Sequence, residues 1–158
     1  MKLYYFVAIA TVSLVFSAIF SSTGIAQRNS TTVHSFTAKL TGAAEEPQRN
    51  PSNNGGANVT IYGQNKLCYK LYANINDATA AHIHKGTNGF NGAVVIPLAT
   101  PTEVMSTKCV LVKSELLQAI SSDPADYYVN IHNRKNPNGA MRGQLTVKGA
   151  MSEKPSNR

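Results

Sequence analysis

The stretch Leu67-Cys68-Tyr69-Lys70-Leu71-Tyr72-Ala73-Asn74-Ile75 decides the fold. From Leu67 onward, every second side chain is apolar or aromatic, and Cys68 is the first of the residues between them. Alternation of this length is typical of a strand with one buried face, because successive side chains on a strand point to opposite sides of the sheet. Cys68 is therefore expected to point away from the main core.

Other segments extend this pattern into a fold. Further strands are predicted at 33–41, 57–62, 80–84, 93–98, 127–132 and 140–148. Apolar residues at helical spacing predict one short helix over 114–121, with Ser114 as its cap. The segment 42–56 is interpreted as a long loop, and 136–139 carries a strong turn signal. Together these features predict an all-β protein, an antiparallel immunoglobulin-like or Greek-key β-sandwich with one short helix.

The chain begins with a segment typical of a secretory leader. A basic start at Lys2 precedes an apolar run over 3–20, and small residues follow up to Ala26. This order predicts a signal peptide over 1–26, and an uncleaved membrane anchor is the alternative. The rest is divided into a flexible lead over 27–34, one domain over 35–148 and a disordered tail over 149–158. The protein is expected to be secreted or held at the extracytoplasmic cell surface, with membrane contact only if the leader is retained.

The charge distribution bears on possible partners, and the cysteine content bears on a possible disulfide. The full chain has 15 basic and 8 acidic side chains, and removing Lys2 leaves 14 against 8, a formal charge of +6. These charges are scattered, without a basic run, which argues against a nucleic-acid partner. Cys68 and Cys109 form an even pair in a chain predicted to be exported, which favours a disulfide over two reduced thiols.

Three histidines occupy alternating contexts. His82 and His84 are two residues apart, so they share a face opposite Ile83. If Ile131 also packs inward, His132 points outward, and if the two strands share a sheet, the three imidazoles can converge on its outer surface. Three imidazoles suit zinc or copper. The alternative is a set of unliganded surface histidines that hydrogen-bond to loop carbonyls.

Arg142 is the second candidate binding residue. It faces outward beyond the predicted turn, where its guanidinium could attract an anion beside neutral imidazoles. The alternative, which we favour, is that Arg142 pairs with Glu45 and pins the loop over 42–56. Glu45-Glu46 itself is interpreted as part of a solvated loop and not as a catalytic carboxylate pair.

The remaining motifs receive structural interpretations. Gly86, Gly89 and Gly92 lack the residues and the helix that follow a phosphate-binding loop, so they are interpreted as turns. The chain has no Gly-x-Ser-x-Gly nucleophile elbow. Tyr127 and Tyr128 are interpreted as one core and one surface aromatic.

The same segments carry a family resemblance. The stretches 40–47, 81–86, 91–92, 128–132 and 137–145 resemble the CHRD domain, which recurs in the animal protein chordin and in many microbial exported proteins. The resemblance spans about 35–148 and includes the positions of all three histidines and of Arg142. It implies an extracellular domain with an immunoglobulin-like β-sandwich and an unidentified extracellular ligand or protein as partner. In chordin the parent protein antagonises bone morphogenetic proteins, and the microbial members have no settled activity.

The sequence departs from the family pattern at three positions. Ala140 stands where an acidic residue is common, Asn133 where threonine is common, and Glu46 where valine is common. The change at Ala140 puts in doubt any charge pairing local to Arg142.

Copper–zinc superoxide dismutases provide a weaker likeness. They are also β-sandwiches with an outward His-x-His pair, a further histidine and a late arginine, but the bridging-histidine and zinc-site patterns are missing here.

Our leading hypothesis is an exported binding module, not an enzyme, with a metal site on His82, His84 and His132 and with Arg142 beside it. The alternatives are a copper-dependent, superoxide-dismutase-like redox enzyme, in which Arg142 guides the anion, and a purely structural cell-surface module.

Overall fold

The computed structural model describes residues 33–101 and 105–149. The predicted signal peptide over 1–26 and residues 150–158 of the predicted tail lie outside these ranges. Val33 and His34, which were predicted to end the flexible lead, form the start of the first strand. None of the helices formed by the described residues has the length and apolar character needed to span a membrane.

The described residues form an antiparallel sheet with one α-helix. The strands are β1 (Val33–Thr41), β2 (Asn54–Tyr62), β3 (Lys66–Ala73), β4 (Ala78–Lys85), β5 (Ala93–Leu98), β6 (Met105–Leu111), β7 (Tyr127–Asn133), β8 (Asn136–Gln144) and β9 (Thr146–Val147), and the helix is α1 (Ser114–Ser122). The strand order is β5-β4-β7-β8-β1-β2-β3-β6, and β9 pairs with β1. The predicted all-β fold with one short helix is confirmed.

The sheet curls so that β5-β4-β7-β8 and β1-β2-β3-β6 face each other across one core. Ile83 and Ile131 from the first half belong to the same buried cluster as Phe36 and Leu71 from the second. Leu67 and Leu71 have no exposed surface, as their alternating positions on β3 predict. The curled sheet therefore packs as a sandwich, and its outer faces remain for polar side chains.

The disulfide lies on the outer face of the second half. Cys68 on β3 is directly opposite Cys109 on β6, and the two sulfurs are bonded. Both cysteines point away from the core, because the alternating partner Leu67 points into it. The predicted disulfide is confirmed.

The helix is confirmed, but its predicted cap is wrong. The N-cap position is held by Lys113, and no side chain caps this end. Lys113 has an extended backbone and Ser114 already lies inside the first turn, so the Ser114 hydroxyl is not placed to accept from that turn. Leu117 and Ile120 are buried against the core, which holds the helix on the sandwich without a cap.

The hairpin between β7 and β8 also differs from the prediction. The turn comprises Arg134 and Lys135, and residues 136–139 belong to β8. The Oδ1 atom of Asn133 accepts from the backbone N of Asn136 at 2.8 Å and from its Nδ2 at 3.0 Å. This side chain closes the turn before Pro137, so the predicted turn at 136–139 is wrong.

Candidate metal centre

Three neighbouring strands bring polar side chains to the outer face of the first half-sheet. Since Ile83 on β4 and Ile131 on β7 point into the core, the residues that alternate with them point outward. The register aligns these residues into cross-strand rows, which are His82–Asn130–Arg142, His84–Tyr128–Gln144 and Ala80–His132.

The three histidines come together on this outer face of the sheet. One ring nitrogen from each of His82, His84 and His132 can be chosen so that all lie within 4.8 Å of one another. The closest pair is His82 Nδ1 and His132 Nε2, at 3.1 Å. The convergence predicted from strand parity is confirmed, but the site is not on an open surface. His84 is 7% exposed and His132 is 9% exposed, because loops cover the outer face.

Backbone carbonyls orient two of the rings. Nδ1 of His84 lies 2.9 Å from the carbonyl oxygen of Gly92, and Nδ1 of His132 lies 2.9 Å from that of Pro137. A carbonyl can only accept, so each Nδ1 carries the proton and each Nε2 carries a lone pair. Nε2 of His84 is buried and has no hydrogen-bond partner. This arrangement is the usual outer-shell support of a metal-binding histidine.

Gly92 can orient His84 only because it has no side chain. A Cβ built on Gly92 would lie 1.6 Å from the carbonyl oxygen of Lys85. The backbone N of Gly92 also donates to the Tyr128 hydroxyl at 3.1 Å. The glycines that were interpreted as turns therefore include one that fixes a site residue.

The environment favours the neutral form of His82 and His84. Burial lowers the pKa of His82, and the neighbouring His132 and His84 lower it further. Burial is also the main cause that lowers the pKa of His84, with His132 and Arg142 adding to the effect. The hydrogen bond from His84 to Gly92 acts in the opposite direction and is outweighed. Neutral rings leave lone pairs for a ligand at neutral pH.

The donor set indicates the class of ion. Among the described residues, the group consists of three imidazoles without a carboxylate or a thiolate. Magnesium and calcium prefer oxygen ligands, whereas imidazole suits zinc and copper. Nitrogen atoms bound to one tetrahedral zinc ion are roughly 3.3 Å apart, so the widest spacing of 4.8 Å would have to close by a modest movement of the rings. The residues present fit a zinc or copper ion.

Arg142 fastens the covering loops and does not pair with Glu45. Its Nε donates to the carbonyl oxygen of Ala44 at 2.6 Å, and its Nη1 donates to Asn91 Oδ1 at 2.9 Å. The expected partner is therefore wrong, but the expected consequence holds, because Ala44 belongs to the loop that Arg142 was predicted to pin. Only 3% of Arg142 is exposed, and its guanidinium carbon lies 5.0 Å from the centre of the Tyr128 ring.

Glu45 is buried and not solvated as predicted. It is 3% exposed, and its Oε1 has no hydrogen-bond partner. Burial raises the pKa of Glu45 to about 7, although the charges of Arg142 and Arg49 lower it. The carboxylate has room because Gly139 lacks a side chain, since a Cβ there would lie 2.7 Å from Glu45 Oε2. The sequence pointed to Glu45 but not to its burial, because no local pattern reports how a loop folds back.

Both tyrosines of β7 are buried, so the prediction of one surface aromatic is wrong. Tyr127 packs in the core. Tyr128 faces outward but lies beneath the loops, where its ring stacks on His84 with centroids 4.8 Å apart. Tyr128 thus lies between a site histidine on β4 and Arg142 on β8, on either side of its own strand.

Comparison with known proteins agrees with these motifs. The model of the CHRD domain family matches residues 36–145, a range that contains the three histidines, Glu45 and Arg142. No curated protein and no solved structure matches the chain.

Proposed function

The chain belongs to the CHRD domain family, and we propose that it is an exported β-sandwich module that binds one copper or zinc ion through His82, His84 and His132. The orientation of the imidazoles carries the proposal. His84 and His132 each hold a proton on Nδ1 against a backbone carbonyl. Each ring therefore turns a lone pair on Nε2 toward the other histidines.

Without a metal, the cluster contains a buried nitrogen that lacks a partner, and a metal ion would provide one. Nε2 of His84 is buried without a partner, and such an atom costs about 1–3 kcal/mol. His82 Nδ1 and His132 Nε2 are 3.1 Å apart and share one proton. If the His82 proton moves from Nδ1 to Nε2, the ring stays neutral, and a metal ion would give all three nitrogens a partner. Bound copper or zinc would supply a Lewis-acidic centre with a position left for a further ligand.

Metal content measures this function directly. The purified protein is equilibrated with copper or zinc, dialysed and subjected to elemental analysis. We expect one equivalent of metal in the wild type and a loss of that metal in His82→Ala. His34→Ala is the matched control, because His34 is exposed on β1 and lies outside the cluster. Less than one equivalent of both metals in the wild type would exclude the proposal, and full retention by His82→Ala would remove His82 from the site.

A copper-dependent, superoxide-dismutase-like activity is the second candidate. The observation in its favour is the nearby cation, since the charge of Arg142 contributes to lowering the pKa of His84. Superoxide consumption by the copper-loaded protein tests this candidate. A copper-loaded protein that does not consume superoxide has a binding function only, and a metal-free protein with intact stability is a structural cell-surface module.

Export is part of the proposal. The disulfide between Cys68 and Cys109 supports an oxidising compartment, and the leader-like segment before Gln27 supports secretion. The partner is then an extracellular ligand or protein and not a nucleic acid. Mass spectrometry of protein recovered from the culture medium should find an N-terminus at Gln27. Recovery only from membranes, with Met1 retained, would replace secretion by anchoring.

A further inference from the structure

A pocket opens beside His84 and His132. Its volume is about 380 Å³, far above the roughly 30 Å³ that a water molecule occupies in the liquid and within the size range of small-ligand sites. His84 and His132 form part of its wall. The covering loops and the β7–β8 hairpin complete it with Glu46, Pro47, Arg49, Asn91, Pro137 and Asn138. A ligand in this pocket would lie beside two of the three histidines.

Arg49 gives the pocket a cation. Its side chain is half-buried, and its Nε donates to the carbonyl oxygen of Gly139 at 3.4 Å. This bond fixes the guanidinium on the hairpin and uses one of its five N–H donors, so the terminal nitrogens can hold an anion. Glu46, the acid of the pocket wall, is exposed to solvent at its rim. Since neutral imidazoles would not cancel the charge of a bound metal ion, the inner part of the pocket favours an anion.

Asn130 adds an unused acceptor. It lines the pocket, is 3% exposed, and its Oδ1 has no hydrogen-bond partner. Its Nδ2 and Glu45 Oε2 lie 2.9 Å and 2.7 Å from the point that a Gly139 Cβ would occupy. The amino end of the amide is thereby directed to the side of the Glu45 carboxylate, and Oδ1 receives no hydrogen bond from the protein.

We propose that this pocket binds a small carboxylate with a hydroxyl or amino group on the adjacent carbon. Arg49 holds the carboxylate, Asn130 Oδ1 accepts from the adjacent donor, and the ligand completes the coordination of the metal on the three histidines. The proposal rests on the metal site proposed above. It assigns ligand recognition to Arg49 and not to Arg142, which is buried and does not line the pocket.

Titration of the copper-loaded protein tests the assignment. Glycolate has the proposed carboxylate and hydroxyl, acetate lacks the hydroxyl, and imidazole is a neutral copper ligand. Each is added while the Cu(II) electron paramagnetic resonance spectrum is recorded, and copper content is measured again at the end. We expect glycolate to alter the spectrum and Arg49→Gln to weaken its binding about tenfold, with copper content and imidazole binding unchanged. Lys70→Gln removes an equal charge from an exposed position on β3 and should leave glycolate binding unchanged.

Asn130→Ala tests the second contact. It should reduce the preference for glycolate over acetate and leave acetate binding unchanged, because only glycolate has the donor that Oδ1 would accept. Glycolate binding of equal strength in the wild type and Arg49→Gln would overturn the proposal, as would a spectrum that responds to imidazole but not to glycolate. Both results leave the metal site intact. A protein that takes up no copper or zinc overturns the metal site and this inference together.

Discussion

Replacing Glu45 by glutamine tests the burial of an acid beneath the loop that covers the histidines. Glu45 is 3% exposed, and burial raises its pKa from 4.5 to about 7 against the opposing charges of Arg142 and Arg49. In the unfolded chain this carboxyl loses its proton near the lower value. Between pH 4.5 and about 7, the folded state therefore binds this proton more tightly than the unfolded state does.

The sign of the effect follows from this difference. The free energy of unfolding must fall as the pH rises through the window, since the folded state binds more protons than the unfolded state. One pKa unit corresponds to about 1.36 kcal/mol, so the rise from 4.5 to about 7 gives a full cost above pH 7 of at most about 3.4 kcal/mol. Glutamine has nearly the same shape and no proton to lose. Glu45→Gln should therefore be more stable than the wild type by up to this amount at pH 8 and equally stable near pH 4.

Urea unfolding from pH 4 to pH 8, with a chelator present, measures the effect. The difference between the two proteins cancels the contribution of every group that the substitution leaves unchanged. Glu46→Gln is the matched control, because Glu46 is the exposed neighbour of Glu45 and should leave the profile unchanged. Parallel profiles for the wild type and Glu45→Gln would refute the argument from burial.

Two further changes test the packing around the sheet. Replacing both Cys68 and Cys109 by serine should lower the free energy of unfolding by about 4 kcal/mol, because the bond joins residues 41 apart in the unfolded chain. Reduction of the wild type should reproduce this loss in urea unfolding, and unchanged stability would contradict the cross-link argument. Gly139→Ala should cost about 2–4 kcal/mol and Gly89→Ala about 1 kcal/mol. Both glycines have positive φ, but an added Cβ meets Glu45 Oε2 at 2.7 Å in the first and nothing within 4 Å in the second, so equal losses would contradict the steric argument.

Strand parity predicted the part of the site that depends on the sheet alone. The alternation of His82 and His84 around Ile83 was sufficient to place both rings on one face, and the same reasoning placed His132 beside them. The Cys68–Cys109 bond was predicted from an even cysteine pair in a chain expected to be exported, and alternation placed Cys68 on the outer face. In each case the side-chain direction follows from a period of two residues, which any sufficiently long strand must obey.

The alternation of side chains along a strand could not predict which loops cover that face of the sheet. Tyr128 was assigned to the surface and Glu45 to solvent, yet both are buried because the loop after β1 folds back over the sheet. The path of this loop depends on contacts between residues far apart in the chain, such as the bond from Arg142 Nε to Ala44. The hairpin turn was misplaced for a different, local reason, because Asn133 Oδ1 accepts from the backbone N of Asn136 and closes the turn before the signal near Gly139. Composition and spacing describe neighbours in sequence and carry no record of such long-range bonds.

The burial of β7 has a kinetic consequence. Every residue from Tyr127 to His132 is buried, because this strand lies between β4 and β8 with the core on one face and the loops on the other. Its amide hydrogens should exchange with deuterium only when the whole domain unfolds, whereas those of the covering loop over 42–53 should exchange through local opening. The histidines are thus attached to a part of the sheet that keeps its structure for as long as the protein stays folded. The loop that covers them can open locally. The rates at which an ion or a small carboxylate binds and is released would therefore depend on the opening of the loop. The affinity would depend on the side chains that the sheet holds in place.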